Sequence, residues 1–281
     1  MAVVQAWAQE YVRFEKLPDW QRDLRAEIRR RCGELVPSEG EVMHAEFFGE
    51  KLPKADVENL LLYNIGTFRA AGRYGIRFEH GRAVPPAPGG AQYRFGYRYA
   101  LAPRTGSFTR WREGRTLAEF GWTDLGAFAG EKKLAQVWRA ITRADNTVGD
   151  PVDAGAPFAV WVQVRPPFGL GREPVWGGLL KGIFDGVICA FQAHRGPLPP
   201  RENLRRLADD LGVAVEDLED LLGNPRWGVL GEVPALVSAY RGGVKWAPSD
   251  HLCVAGELLT AGPVPGQDHW AITGRIVEVA D

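Results

Sequence analysis

The chain has 281 residues, 45% hydrophobic and 25% charged, with a net charge of −1, which is typical of a globular protein of one large or two small domains. No apolar run approaches the roughly twenty residues of a bilayer span, and the N-terminus lacks a signal-peptide pattern, so we expect no membrane partner. The three widely spaced cysteines, Cys32, Cys189 and Cys253, predict reduced thiols and a cytoplasmic location rather than a disulfide framework.

The first part of the chain alternates between helical and strand patterns. A helix is predicted over 18–35, because Asp19 stands near its start and Gly33 at its end. Alternating hydrophobicity then predicts a strand over 41–48. A helix over 54–72 and strands over 73–81 and 93–103 follow. In the last strand the aromatic residues fall on one face and two arginines on the other: Tyr93, Phe95, Tyr97 and Tyr99 against Arg94 and Arg98.

Charge is segregated along the chain. Residues 69–115 contain ten arginines, no lysine and two acids, a charge of +8, so the remaining residues carry −9. Such asymmetry indicates an anionic partner, and the planar arginine fork binds phosphate oxygens in pairs. We therefore expect a nucleic-acid-binding surface. The candidate residues are Arg69, Arg73, Arg77, Arg94, Arg98, Arg110 and Arg112.

The second part of the chain repeats the order of the first. Segment 116–150 suggests helix with irregular connections, and the Gly/Pro/Asp-rich residues 149–157 predict a boundary between 1–150 and 151–281. The elements expected after it are a strand over 157–168, a helix over 175–194, and strands over 244–259 and 269–280. Strand, helix, strand, strand thus occurs twice, which predicts an α+β fold of two similar, pseudo-duplicated halves.

An insertion at about 197–243 interrupts the second half. Ala208, Gly212, Val213 and Leu218 have the spacing of a helix-turn-helix, with Gly212 at the turn. The second helix, however, begins with four acids that would repel phosphates: Glu216, Asp217, Glu219 and Asp220. We therefore predict a structural helical hairpin, with residues 201–222 as a candidate surface for a protein partner.

The segment KADVENLL, residues 54–61, places Asp56, Glu58 and Asn59 at a strand–helix junction. One interpretation is that Asp56 caps the helix while Glu58 interacts with the helix dipole. The other is a carboxylate cluster that holds Mg²⁺, since hard divalent cations prefer oxygen ligands and two-metal sites cleave phosphodiesters. The residues alone leave both interpretations open.

The same segment resembles the acidic loop of the RusA-like Holliday junction resolvases. In that family an Asp-x-Asp-Asn segment precedes an apolar helix that bears a lysine, and another aspartate lies downstream at a strand. The resemblance implies a Mg²⁺-dependent endonuclease that acts as a dimer on branched DNA. It assigns Asp56 and Glu58 to the two acids and Asn59 to the asparagine.

Each half of the chain keeps a different part of the family pattern. The lysine position falls on Leu62 in the first half and on Lys181 in the second. The acidic positions of the second half fall on Val175 and Gly177, and the asparagine position on Gly178, whereas Asp250 matches the downstream aspartate. The resemblance thus implies catalytic roles for Asp56, Glu58, Asp250 and Lys181, and a metal site formed by Asp56, Glu58 and Asp250. A fused pseudo-dimer would retain one composite site; alternatively, the fold would keep DNA affinity without catalysis.

Three functions are compatible with these patterns. The first is nucleic-acid binding through 69–115, with or without Mg²⁺-dependent structure-specific cleavage. The second is a non-catalytic interaction protein, and the third an enzyme that acts on a small phosphorylated ligand. Convergence of Asp56, Glu58, Asp250 and Asp185 would favour the nuclease. Asp185 lies four residues after Lys181, so the two are also expected to form an ion pair on one helix face, and Glu173 could join them around a phosphate or metal.

Overall fold

A computed structural model describes residues 3–13, 16–53, 55–65, 72–128, 133–153, 155–170, 179–223 and 227–281. Within these ranges the protein has the predicted α+β fold, with six α-helices and a large mixed sheet. The helices are α1 Asp19–Cys32, α2 Val57–Ile65, α3 Lys133–Arg143, α4 Leu180–Ala190, α5 Arg201–Leu211 and α6 Val215–Gly223. None of them is long and apolar enough to cross a membrane.

The strands belong to one nine-stranded sheet and two small two-stranded sheets. The strands are β1 Val3–Ala8, β2 Glu41–Phe48, β3 Gly75–Gly81, β4 Phe95–Pro103, β5 Arg112–Gly126, β6 Asn146–Val148, β7 Phe158–Arg165, β8 Ala193–His194, β9 Glu232–Val233, β10 Val237–Tyr240, β11 Gly243–Trp246, β12 Cys253–Thr260 and β13 Trp270–Ala280. The order in the large sheet is β1-β4-β2-β3-β12-β7-β13-β5-β6. Strands β2 and β3 are parallel, as are β7 and β12.

The strand pairing follows the same scheme on both sides of the β3–β12 pair, which is antiparallel. On one side β3 is parallel to β2, and β2 and β4 are antiparallel, as are β4 and β1. On the other side β12 is parallel to β7, and β7 and β13 are antiparallel, as are β13 and β5. In both sets a helix follows the first of the two parallel strands, α2 after β2 and α4 after β7, and in the second set the elements from β8 to β11 also precede β12. A duplication as the origin of this arrangement stays a hypothesis.

The main hydrophobic core lies between the helices and one face of the large sheet. Strand β2 shows how alternation builds it, since Met43, Ala45 and Phe47 enter the core. At the β3–β12 pair, Phe78 of β3 packs on Phe184 of α4 with ring centroids 5.1 Å apart. Both rings lie against Gly256 of β12, where a methyl group would overlap them. A glycine therefore permits close packing where the two sets of strands meet.

The opposite face of the sheet carries charged residues and a smaller apolar cluster. Phe108 and Trp111, from the loop between β4 and β5, pack there against Ala159 and Val254. The predicted alternation in β4 is present, because Tyr97 and Tyr99 are buried in the main core and Arg98 lies across from Glu46 on the other face. Tyr93, however, precedes the strand and is exposed.

Three sequence expectations need correction. Strand β1 was not predicted, and residues 112–126, of which 116–126 were expected to be helical with irregular connections, form the long strand β5. Four register shifts between β5 and β13 disrupt the two-residue alternation by which a strand is recognised. The single strand expected over 244–259 is two strands, because residues 247–252 form a loop that contains Pro248.

The inserted hairpin forms as predicted, by α5 and α6. Gly212 ends α5 with a left-handed backbone, φ 63°, which glycine adopts without steric cost. Leu204, Leu207 and Leu218 are buried in the main core. Three of the acids contact arginines of this chain: Glu216 and Glu219 pair with Arg201, and Asp217 pairs with Arg143. The hairpin is thus part of the folded unit, and a protein partner for its surface stays a prediction.

Candidate metal centre

Helix α2 begins directly after Asp56, which lies at the end of the loop leading from β2. The Leu60 N–H donates to the Asp56 backbone carbonyl, at 3.0 Å, and Asn59 Nδ2 donates to the Asp56 carboxylate, at 2.6 Å. Among the described residues, no hydrogen bond joins that carboxylate to a backbone amide of the helix. The carboxylate of Asp56 instead faces α4, and Glu58, in the first turn of α2, is buried beside it.

Lys181, in the first turn of α4, is the cation at the centre of this group. Its Nζ lies 3.2 Å from Asp56 Oδ2, 3.6 Å from Glu58 Oε1 and 3.2 Å from Asp185 Oδ2. The ion pair between Lys181 and Asp185, predicted from their spacing, is therefore present. The same lysine also joins the second half of the chain to the two acids of the first half.

Asp250 reaches the group from the loop between β11 and β12. The Cys253 N–H donates to the Asp250 carbonyl, at 2.8 Å, which closes a turn immediately before β12. The buried Gln192 fixes the same loop, because the Ser249 N–H donates to its Oε1, at 3.0 Å, and its Nε2 donates to the Ser249 carbonyl, at 3.2 Å. The Asp250 carboxyl group lies beside that of Asp56, close enough for the two to share a proton. A polar residue in an apolar stretch is the one signal by which Gln192 could have been found before the structure.

Asp56, Glu58 and Asp250 each offer one carboxylate oxygen, and these oxygens lie within 4.8 Å of one another. Two ligands on opposite sides of a Mg²⁺ ion are roughly 4.2 Å apart, twice the usual Mg–O distance, so small side-chain rotations suffice to bind the ion. A set made only of carboxylates suits Mg²⁺ or Mn²⁺ rather than softer metals. Burial and the nearby carboxylates raise the pKa of Cys253 well above its ordinary value, so this neighbour is a neutral thiol.

The charges of the group are only partly compensated. Burial raises the pKa of Glu58 well above its ordinary value and that of Asp185 to about 6. Burial, the hydrogen bond to Asp56 and the charge of Asp56 raise the pKa of Asp250 to about 7. Burial alone would lower the pKa of Lys181, but the charges of Asp185, Glu58 and Asp56 outweigh it and raise that pKa. One lysine thus faces four carboxyl groups, an arrangement that favours an additional cation.

A second group of acids, with His44, lies on the opposite face of the sheet and is fully buried. Glu79 accepts hydrogen bonds from His44, at 2.6 Å, and from the backbone N–H groups of Thr109 and Arg110. Glu46 pairs with Arg98 and Arg110. Burial alone would raise the pKa of Glu79. The hydrogen bond from His44, the charge of His44 and the hydrogen bonds from Thr109 outweigh burial, so the pKa of Glu79 lies below its ordinary value. These acids already have partners within the protein.

The arginines expected to form a basic surface have diverse roles. Arg77 is buried, and its Nε donates to Glu257, at 2.6 Å, so it supports the fold. Arg98 and Arg110 share Glu46. The remaining predicted arginines are distributed as follows: Arg94 stacks on Phe95, Arg73 on Tyr74, Arg112 donates to the Asp281 carbonyl, and Arg69 lies outside the described residues.

The structure thus brings together Asp56, Glu58, Lys181, Asp185 and Asp250. Leu62 lies on α2, and four positions named from the sequence lie outside the described residues: Glu173, Val175, Gly177 and Gly178. No protein-family model matches the sequence, and no curated protein matches it. The interpretation of the site therefore depends on its geometry and chemistry.

Proposed function

We propose that Asp56, Glu58 and Asp250 bind Mg²⁺ and that the protein is a Mg²⁺-dependent endonuclease acting on nucleic acid. The observation that carries this proposal is the convergence of three carboxylate oxygens within 4.8 Å of one another from two distant parts of the chain. The resemblance to RusA-like resolvases supports it, because the site combines the acidic loop of one half with the lysine and downstream aspartate of the other.

The side chains have separable roles in this proposal. Asp56 and Asp250 are partly exposed and able to accept a cation from solvent, whereas the buried Glu58 fixes the inner side of the site. A bound divalent cation would supply Lewis-acid stabilisation of the charge that develops on a phosphodiester during hydrolysis. The Lys181 side chain is 46% exposed. It serves as an internal counter-ion in the free protein and can donate to a phosphate oxygen when substrate is present.

Cleavage assays test the proposal directly. Fluorescently labelled branched, single-stranded and double-stranded DNA and RNA are incubated with Mg²⁺, Mn²⁺ or EDTA. We expect metal-dependent cleavage by the wild type and its loss in Asp56→Asn, because asparagine keeps the shape of the side chain but lacks the negative charge. Asp23→Asn, an exposed position on α1, is the matched control and should cleave like the wild type.

Calorimetry separates metal binding from the capping interpretation. A helix cap predicts little effect from Asp56→Asn and a loss of about 1 kcal/mol of unfolding free energy from Asp56→Ala. The metal site predicts that both variants lose Mg²⁺ binding while keeping their stability in EDTA. A wild type that neither binds divalent cations nor cleaves any of these substrates contradicts the proposal. Non-catalytic affinity for nucleic acid or for a small phosphorylated ligand would then have to be considered.

A further inference from the structure

A cleft beside the loop that leads to Asp56 contains basic and aromatic side chains. Its volume is about 390 Å³, and it lies where β2 and β3 end and β4 begins. Its lining residues are Glu50, Lys51, Arg82, Val84, Tyr93, Arg94 and Phe95. The lining thus contains three cations and two aromatic rings but only one acid.

Long-range hydrogen bonds hold the walls of the cleft in place. The Gly49 N–H donates to the Gly81 carbonyl, at 3.0 Å, and joins the ends of β2 and β3. Two hydrogen bonds fix the loop before β4: Trp7 Nε1 of β1 donates to the Pro85 carbonyl, and Gln9 Nε2, just after β1, donates to the Gln92 carbonyl, both at 2.9 Å. The cleft is therefore built by the sheet and does not require a ligand to form.

The three cations of this cleft differ in whether an acid neutralises them. Arg94 lies over the Phe95 ring, at 5.8 Å, and in the described part of the chain neither it nor Lys51 has a carboxylate partner. Arg82 pairs with Asp281 and lies over the Trp111 ring, at 5.5 Å. Arg77, Arg98 and Arg110, by contrast, pair with buried acids. The cleft thus contains two cations, Lys51 and Arg94, that no described carboxylate neutralises.

We infer that this cleft binds a single-stranded stretch of nucleic acid next to the carboxylate site, an inference that rests on the proposed function. Cations that contact the backbone and an aromatic ring on which a base stacks are the features of single-strand binding, and Tyr93 is 37% exposed there. Lys51 and Asp56 are five residues apart, at most about 18 Å. At about 3.4 Å per stacked nucleotide, this upper limit corresponds to at most roughly five nucleotides between cleft and metal site.

Fluorescence anisotropy in EDTA tests the inference without requiring cleavage. The probes are a labelled oligothymidine of about twenty nucleotides and a duplex of equal length, over a salt series. The wild type should bind the single strand more tightly than the duplex. Tyr93→Ala should weaken single-strand binding about fivefold or more, the lower limit for one stacked base, whereas Tyr93→Phe keeps the ring and should bind normally. Arg94→Ala should reduce the slope of log K against log salt by about 0.7.

The control is Arg195→Ala, since Arg195 is exposed, pairs with Glu232 and is not among the residues that line the cleft. It should bind like the wild type. Preference for the duplex, or unchanged affinity and salt slope in both alanine variants of the cleft, would overturn the inference. A wild type that binds the single strand but shows no metal-dependent cleavage would instead contradict the proposed nuclease and leave the cleft assignment intact.

Discussion

The two acidic groups of the molecule differ in what compensates their charge. In the buried group, Glu46 has two arginines, and Glu79 has His44 and three hydrogen bonds from Thr109 and Arg110. In the group around Asp56, Lys181 is the one cation described for four carboxyl groups, and the pKa of Asp250 is raised to about 7 by burial and by Asp56. From residue types alone, either group could hold a metal ion.

The difference separates a structural role from a ligand-binding one. Buried acids whose partners come from the protein are stabilised by the fold and leave no lone pairs for a metal. Acids whose mutual repulsion persists in the folded state lower stability and gain from an external cation. The number and position of the counter-charges, rather than the number of acids, thus distinguishes the two groups.

The largest effect is expected from removing an acid of the compensated group. Glu79→Ala leaves His44 and the backbone N–H groups of Thr109 and Arg110 without their buried acceptor, which should lower the unfolding free energy by about 3–5 kcal/mol. Urea unfolding in EDTA measures this loss. Asp250→Ala in the other group should be neutral or stabilising under the same conditions. Equal losses in the two variants would remove the distinction between the groups.

An intermediate effect is expected from adding the metal. At a Mg²⁺ concentration a hundred times the dissociation constant, the wild type should gain about 2.7 kcal/mol of unfolding free energy. Asp56→Asn and Asp250→Asn should gain none beyond the effect of ionic strength. Calorimetry with Mg²⁺ and with NaCl of matched ionic strength makes the comparison. A similar gain in the two variants would place the metal elsewhere.

The smallest effect is expected from pH. The folded-state pKa of Asp250, about 7, lies above the value of about 3.9 for an unfolded aspartate, so the folded protein holds more protons between these values. In EDTA this group therefore makes stability fall as pH rises from about 4 to 7, and Asp250→Asn should flatten that slope. Thermal unfolding across this range measures it. The groups that face Asp250 are Asp56, Asp185 and Lys181.

Local patterns predicted the elements, whereas pairing between distant segments decided the site. The hairpin with Gly212 and the helix ending at Gly33 follow from caps and periodicity. Glu46 neutralises Arg98 because the register between β4 and β2 places the two residues opposite each other. That register cannot be read from the sequence of either strand alone. The motif around Asp56 identified half of the candidate metal site, and the resemblance supplied Lys181 and Asp250. The loop that carries Asp250 was not predicted, because residues 244–259 were expected to form one strand.

The close packing at Gly256 limits which substitutions the protein can accept during evolution. Asp56 and Glu58 belong to the connection between β2 and β3, whereas Asp250 belongs to the loop that leads into β12. Neither set of strands therefore carries all three proposed metal ligands. A methyl group at Gly256 would overlap Phe78 and Phe184, and Phe184 lies on the same helix as Lys181 and Asp185, so we expect such a substitution to disturb the site without replacing any of its residues. We therefore expect the two sets of strands to evolve together. A substitution where β3 meets β12 would be selected for its effect on both sets.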